Sequence, residues 1–407
     1  MNKKTFLLGS VATLLATSAA FAGANATSSA PAPHKSGHHI PKPHKIHQRR
    51  PLFGESLSGE SWQKAFNGPY VKSARCYGPG YFYIPGTESA IRFSGFVATM
   101  LGVASSQYGY GAKGALTVET KNETKYGTLG TYIGIKGNYA AKPGQRNSVD
   151  DFELSYAYFE LGHMRFGSSD SVFNYWTNYY GSNIINDDLL DKQLYTSVNG
   201  ISYNFVINND VSAIVALEQG GNNKHVWPDD VSENRAGSAP IARSDDEDDA
   251  TFPNLVAGIK YTQDWGILSA VAGYDTTYKK LAAKVRFDKY LGRDLQAWVM
   301  AGIKHDDKDE EAKHIGDTAC VYGDWDGKWQ LSGGAAYQVR PNTSFNTELL
   351  FDEKSTFGAL ANVRYNLTPN LIITPELSLL HHKVNSDVSD SEKKTSLGLN
   401  LEIRHTF

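Results

Sequence analysis

The sequence predicts an all-β fold, a 16-stranded antiparallel transmembrane β-barrel, on three observations. First, in the closing stretch Leu397, Leu399, Leu401, Ile403, His405 and Phe407 interleave with Gly398, Asn400, Glu402, Arg404 and Thr406. A period of two gives a strand one apolar and one polar face. Second, the same alternation recurs along the chain. Third, the connections between these runs change regularly between short and long. A sheet that crosses lipid must close on itself, because an open edge leaves backbone groups unpaired in hydrocarbon.

The first residues read as a secretory signal, residues 1–22. Lys3 and Lys4 give a basic start, Phe6 to Ala19 an apolar middle, and Ala20-Phe21-Ala22 a cleavage site. Residues 23–77 follow as a tail and a poorly defined segment. The run from Ala24 to Arg50 has no acid and carries His34, His38, His39, His44 and His47. It is too poor in apolar residues to build a core and reads as a disordered, solvated tail. Metal binding by the histidines, or basic contact with periplasmic polyanions, are the alternatives. Residues 51–77 have no clear period, and Gly78 to Glu88 is a glycine- and proline-rich lead-in to the barrel, residues 78–407.

Sixteen strands are expected at 88–103, 111–121, 127–139, 151–161, 164–168, 198–207, 211–219, 253–262, 266–274, 280–288, 295–303, 328–338, 343–351, 356–366, 371–380 and 395–407. Leu129, Thr131, Ile133 and Ile135 alternate cleanly with Gly130, Tyr132, Gly134 and Lys136. The strands at 151–161 and 266–274 are apolar on both faces, and alternation does not orient them. The short connections, such as Asn208–Asp210 and Arg340–Asn342, are rich in turn-forming residues. The long ones are 169–197, 220–252, 304–327 and 381–394. Short periplasmic turns and long external loops mark outer-membrane barrels. An even strand count puts both termini on one side.

The 407 residues carry a net charge of −3, which gives no pull toward nucleic acid. A mean hydropathy of −0.40 excludes a helical membrane protein but not a barrel with a polar lumen. No apolar run reaches the ~18 residues a spanning helix needs. Cys76 and Cys320 fall at opposite ends of the expected barrel and should not pair. No nucleophile and base stand at a recognisable spacing, so no enzyme, cofactor or metal site is expected.

An alternating last strand that ends in Phe407 resembles the terminal signal of bacterial outer-membrane barrels. More specifically, Gly78 to Phe407 resembles the alphaproteobacterial general porins. The matching pieces are Gly80-Tyr81-Phe82-Tyr83-Ile84-Pro85-Gly86-Thr87-Glu88, Arg92 and Gly95, Gly127 to Tyr132, Leu217-Glu218-Gln219-Gly220-Gly221, Thr374-Pro375-Glu376 and Phe407. The resemblance implies a homotrimer in outer-membrane lipid and passive diffusion of small hydrophilic solutes. It also implies a third external loop folded into the barrel, and delivery to the barrel-assembly machinery through Phe407. The histidine-rich tail and the acidic run Asp245 to Asp249 depart from the pattern, and Ala90 stands roughly where relatives carry a second cysteine.

On this reading function is pore geometry plus charge. The third loop is long, aromatic and acidic. Phe173, Tyr175, Trp176, Tyr179 and Tyr180 should fix it against the inner wall. Asp170, Asp187, Asp188 and Asp191 are then candidates for the acidic side of a constriction. Alternation points Arg92, Lys113, Lys136, Arg165, Lys284, Arg286, Arg364 and Arg404 into the lumen, together with Glu119, Glu218, Glu348, Glu376 and Glu402. Arg165, Lys136, Lys284, Arg286 and Arg92 are the candidates for the basic wall. A substrate-selective channel, or a surface adhesin acting through loops 220–252 and 304–327, is the alternative on the same barrel.

Overall fold

The computed structural model describes residues 72–104, 107–140, 149–178, 185, 197–219, 252–276, 279–305, 322–323, 325, 327–384 and 392–407. The signal and the histidine-rich tail lie outside them. The barrel opens with β1 (Ala90–Ala104), β2 (Gln107–Thr124), β3 (Gly127–Ala140), β4 (Val149–Leu161) and β5 (Met164–Asp170). It continues with β6 (Ser197–Val206), β7 (Val211–Glu218), β8 (Asn254–Gln263), β9 (Gly266–Asp275), β10 (Lys280–Leu291) and β11 (Leu295–Lys304). The last five are β12 (Trp329–Arg340), β13 (Thr343–Asp352), β14 (Phe357–Thr368), β15 (Leu371–Val384) and β16 (Glu392–Thr406). Each expected strand corresponds to one of these. Several run longer, notably β2, whose pairing extends past both ends of the expected 111–121.

Every strand is antiparallel to its neighbours in sequence, and β16 pairs with β1 from Gly398↔Ala104 to Thr406↔Phe96. The seam ends in two further bonds. The Phe407 amide donates to the Gly95 carbonyl at 3.0 Å, and the Gly95 amide donates back at 3.1 Å. The short turns follow their residue types. At the β6–β7 turn the Asn208 side-chain oxygen accepts from the Asp210 and Val211 amides at 2.9 and 2.8 Å. Gly162 takes the β4–β5 turn with φ +60°, a conformation that favours glycine.

The polarity is that of a barrel in lipid. Outward-facing Leu397, Leu399, Val299 and Leu331 are exposed, whereas the lumen side buries Glu348, Glu376, Asn346 and Asn362. Exposed aromatics cluster near the periplasmic ends of strands, among them Tyr126, Tyr203, Trp265 and Tyr365, where their amphipathic rings suit an interface. Leu399 sits at the middle of β16 on the lipid face. Leu399→Lys is expected to cost ~2–4 kcal/mol, read as a lower urea midpoint of the bilayer-inserted protein. An unchanged midpoint would contradict the lipid-facing assignment.

The two strands that alternation could not orient have separate explanations. In β4 the pairing with β3 slips between Gly134 and Ile135, so that Gly134 opposes Tyr156 and Ile135 opposes Leu154. Ser155 is the extra residue of a bulge, which breaks the period of two. In β9 the lumen face carries Val271 and Gly273 because apolar loop residues pack on it from inside.

The lead-in tucks beneath the barrel. Phe82 and Tyr83 pair with Ile91 and Ala90 at the start of β1. Tyr81 is buried, donating from its hydroxyl to Glu119 Oε2 at 2.6 Å, with the Arg92 guanidinium 4.7 Å from its ring. Cys76 is a free, exposed thiol, 3.5 Å from the Tyr83 hydroxyl, and Cys320 lies outside the described residues.

Candidate functional site

The chain leaves the wall at Asp170, whose carboxylate accepts from the Tyr156 hydroxyl at 3.0 Å. Ser171 then caps a one-turn helix, α1 (Val172–Tyr175), with its hydroxyl accepting from the Phe173 amide at 3.2 Å. The helix turns inward. Val172, Phe173 and Trp176 are buried against Ile214 and Ala216 of β7, Val256 of β8, Val271 of β9 and Ala282 of β10. Glycines make room for the rings. A Cβ at Gly258 would stand 2.5 Å from the Trp176 indole, and one at Gly273 would stand 3.1 Å from the Phe173 ring.

Two carboxylates hold this loop. Glu218 on β7 accepts from the Val172 amide at 2.6 Å and the Ser171 hydroxyl at 2.7 Å. Glu376 on β15 accepts from the Ile185 amide at 2.6 Å. It is itself braced by Asn362 Nδ2 at 3.0 Å, and Asn362 Oδ1 accepts from Asn346 Nδ2 at 2.8 Å. In a ring of sixteen strands, β7 and β15 face each other across the lumen. The third loop therefore crosses the barrel.

The candidate residues fall into groups. Lys284 and Arg286 of β10 are both buried, 3% and 4% exposed. The Lys284 ammonium stands 4.5 Å from the Phe173 ring centroid, and Arg286 pairs with Asp288 at 2.7 Å. Arg165 pairs with Glu160 at 2.8 Å and lies over the Tyr158 and Tyr175 rings. Arg92 pairs with Glu119, and Lys136 with Glu153, on the arc from β1 to β4. Asp187, Asp188 and Asp191 lie outside the described residues.

Glu402 gathers a further basic group. Arg404 pairs with it at 2.9 Å and Lys113 at 3.4 Å, while Arg364 lies within electrostatic reach of both Glu402 and Arg404. Arg404 also covers the Phe96 ring at 4.6 Å. The side chains of Arg92, Lys113, Lys136 and Arg404 keep 11–20% of their surface, unlike Lys284 and Arg286. Among the described residues, three cations gather around this one carboxylate.

Sequence reasoning missed part of the site. The connection between β11 and β12 reads as an external loop, but its end returns to the lumen. Tyr322 and Trp325 are buried in the same apolar cluster as Phe173 and Trp176. Tyr322 donates its hydroxyl to Glu218 at 2.9 Å. Burial, with Glu218 beside it, pushes the phenol pKa up. Gly302 was the available signal, since a Cβ there would stand 2.7 Å from the Trp325 ring.

Residues 65–402 match the porin subfamily. The chain belongs to that family. It is 33% identical over 322 residues to porin Omp2b of Brucella suis, covering 76% of this chain and 82% of the relative. It is also 33% identical over 324 residues to porin Omp2b of Brucella melitensis, covering 76% and 83%. Among solved structures it resembles the outer-membrane channel DcaP of Acinetobacter baumannii, with a TM-score of 0.56 and 14% identity over 80% of this chain and 99% of that one. Pseudomonas putida OprB follows at 0.52 and 9% identity, over 78% and 94%. At these identities the structural likeness speaks for the barrel alone. The porin assignment gives the chain a place in the bacterial outer membrane and a role as a channel rather than an enzyme.

Proposed function

We propose that this porin admits small hydrophilic solutes and ions by passive diffusion. Its selectivity is set where the crossing loop narrows the lumen against the basic residues of β14, β16 and β1–β3. The observation that carries this reading is the attachment of one loop at Glu218 and at Glu376, on facing walls. A solute must pass beside that loop. Helix α1 fills the side of β7–β10, which leaves the arc through β16 and β1–β4 as the water-lined side. There Arg404, Lys113, Lys136 and Arg92 form the basic wall, and Asp170, Asp187, Asp188 and Asp191 are the acids the loop can set against it. Lys284 and Arg165 act behind the loop by holding its Phe173 and Tyr175 rings through cation–π contacts, whereas Arg286 lies over Trp298 of β11. A transverse field between acids and bases orders water and disfavours apolar solutes. We read the assembly as a homotrimer in outer-membrane lipid, with Phe407 as the signal to the barrel-assembly machinery.

The test is single-channel conductance of the purified protein in a planar bilayer, with reversal potential under a salt gradient. Large, steady conductance in steps of three is the expected result. Absence of conductance from folded, inserted protein would overturn the reading.

A further inference from the structure

Glu218 ends β7 and is 2% exposed. Its two oxygens serve three donors from two different loops. Oε1 accepts the Val172 amide, and Oε2 accepts the Ser171 hydroxyl and the Tyr322 hydroxyl at 2.9 Å. Ser171 is at once bound to Glu218 and the cap of α1 through the Phe173 amide, so the carboxylate fixes where the helix begins. A buried carboxylate holds its partners closely, because an oxygen left without donors is costly.

Among the described residues, the loop between β11 and β12 meets the crossing loop at Tyr322. The Tyr322 ring lies 5.1 Å from that of Phe173, and both occupy the space over Gly273. Trp325 is wedged over Gly302 two strands along.

We propose that Glu218 is the positioning residue of the constriction. Through Tyr322 it couples the external loop between β11 and β12 to the width of the lumen. This rests on the crossing loop being the constriction. With Glu218 intact, α1 has one seat against β7–β10. Without the carboxylate, three donors lose a shared acceptor, and the loop root samples several positions. Displacement of Tyr322 from outside removes one donor and the ring packed on Phe173, which loosens the same seat.

Planar-bilayer recordings of the wild type, Glu218→Ala, Glu218→Gln and Tyr322→Phe test this, with unheated gel migration as the check on folding. Glu218→Ala is expected to raise open-channel current noise several-fold and to add sub-conductance levels. Glu218→Gln, which still offers an oxygen to the Val172 amide, stays near the wild type. Tyr322→Phe keeps the ring and gives intermediate noise. The double variant Glu218→Ala with Tyr322→Phe is no noisier than Glu218→Ala, because both act through one carboxylate. A folded Glu218→Ala channel with wild-type noise and conductance overturns the proposal. So does wild-type behaviour of Tyr322→Phe, which would remove the link to the external loop and which decides the matter if Glu218→Ala does not fold. A silent wild-type channel would instead overturn the constriction reading on which the proposal stands.

Discussion

Replacing Gly95 with leucine is expected to abolish the folded barrel, seen as loss of the fast-migrating band of the unheated protein. The reason lies at the seam. Gly95 and Phe407 exchange the last two backbone hydrogen bonds between β1 and the carboxy terminus, at 3.0 and 3.1 Å. The Phe407 ring lies across Gly95 on the lipid face. A Cβ at Gly95 would stand 2.8 Å from the ring's Cζ and would also meet the Ala115 carbonyl of β2. Overpacking of this kind costs ~1–3 kcal/mol. Loss of the two bonds adds ~0.5–1.5 kcal/mol each, and more in hydrocarbon, where no water replaces them. Phe407→Leu is expected to be milder, since it trims the ring and leaves the main-chain bonds in place. Wild-type migration of unheated Gly95→Leu would show that closure does not depend on this contact.

Gly95 also illustrates how far the sequence could be read. Alternation in β16 identifies the closing strand from residues within that strand, because a period of two needs no knowledge of neighbours. The turns are equally local, as the Asn208 side chain that caps its own turn makes plain. Orientation failed in β4 because the bulge at Ser155 depends on how β3 and β4 pair, which neither strand encodes alone. It failed in β9 because Val271 and Gly273 answer to Phe173, nearly a hundred residues away.

The same division runs through the site. The aromatic character of the third loop foretold packing against the inner wall, and Phe173 and Trp176 are buried there. The parity of Lys284 and Arg286 points them inward, but parity says nothing about what lies on top of them. Tyr322 and Trp325 belong to the site only because they pack in the lumen against Phe173 and Trp176. Asn346 and Asn362 stand at inward positions of β13 and β14, but only the folded barrel shows that they brace Glu376.

Charge reversal at Lys113 should turn the channel toward cations, and Arg404→Glu should do the same. Both residues bind Glu402, and Arg364 stands nearby, so among the described residues three cations gather here around one carboxylate. Lys113→Glu changes the local charge by two. At ~10 Å in water, two charges act on a passing monovalent ion with ~0.8 kcal/mol. Screening at 0.1 M salt, where the Debye length is ~10 Å, reduces this to ~0.3 kcal/mol. The cation gains what the anion loses, so the cation-to-anion permeability ratio should rise roughly threefold. The reversal potential under a salt gradient reads that ratio directly. At 1 M salt the Debye length falls to ~3 Å and the difference from wild type should nearly vanish. Lys284→Gln supplies the contrast. That lysine is covered by Phe173, so its loss should disturb the loop, and therefore current noise, more than ion preference. A reversal potential that moves with Lys284 and not with Lys113 would place the water path on the other side of the crossing loop.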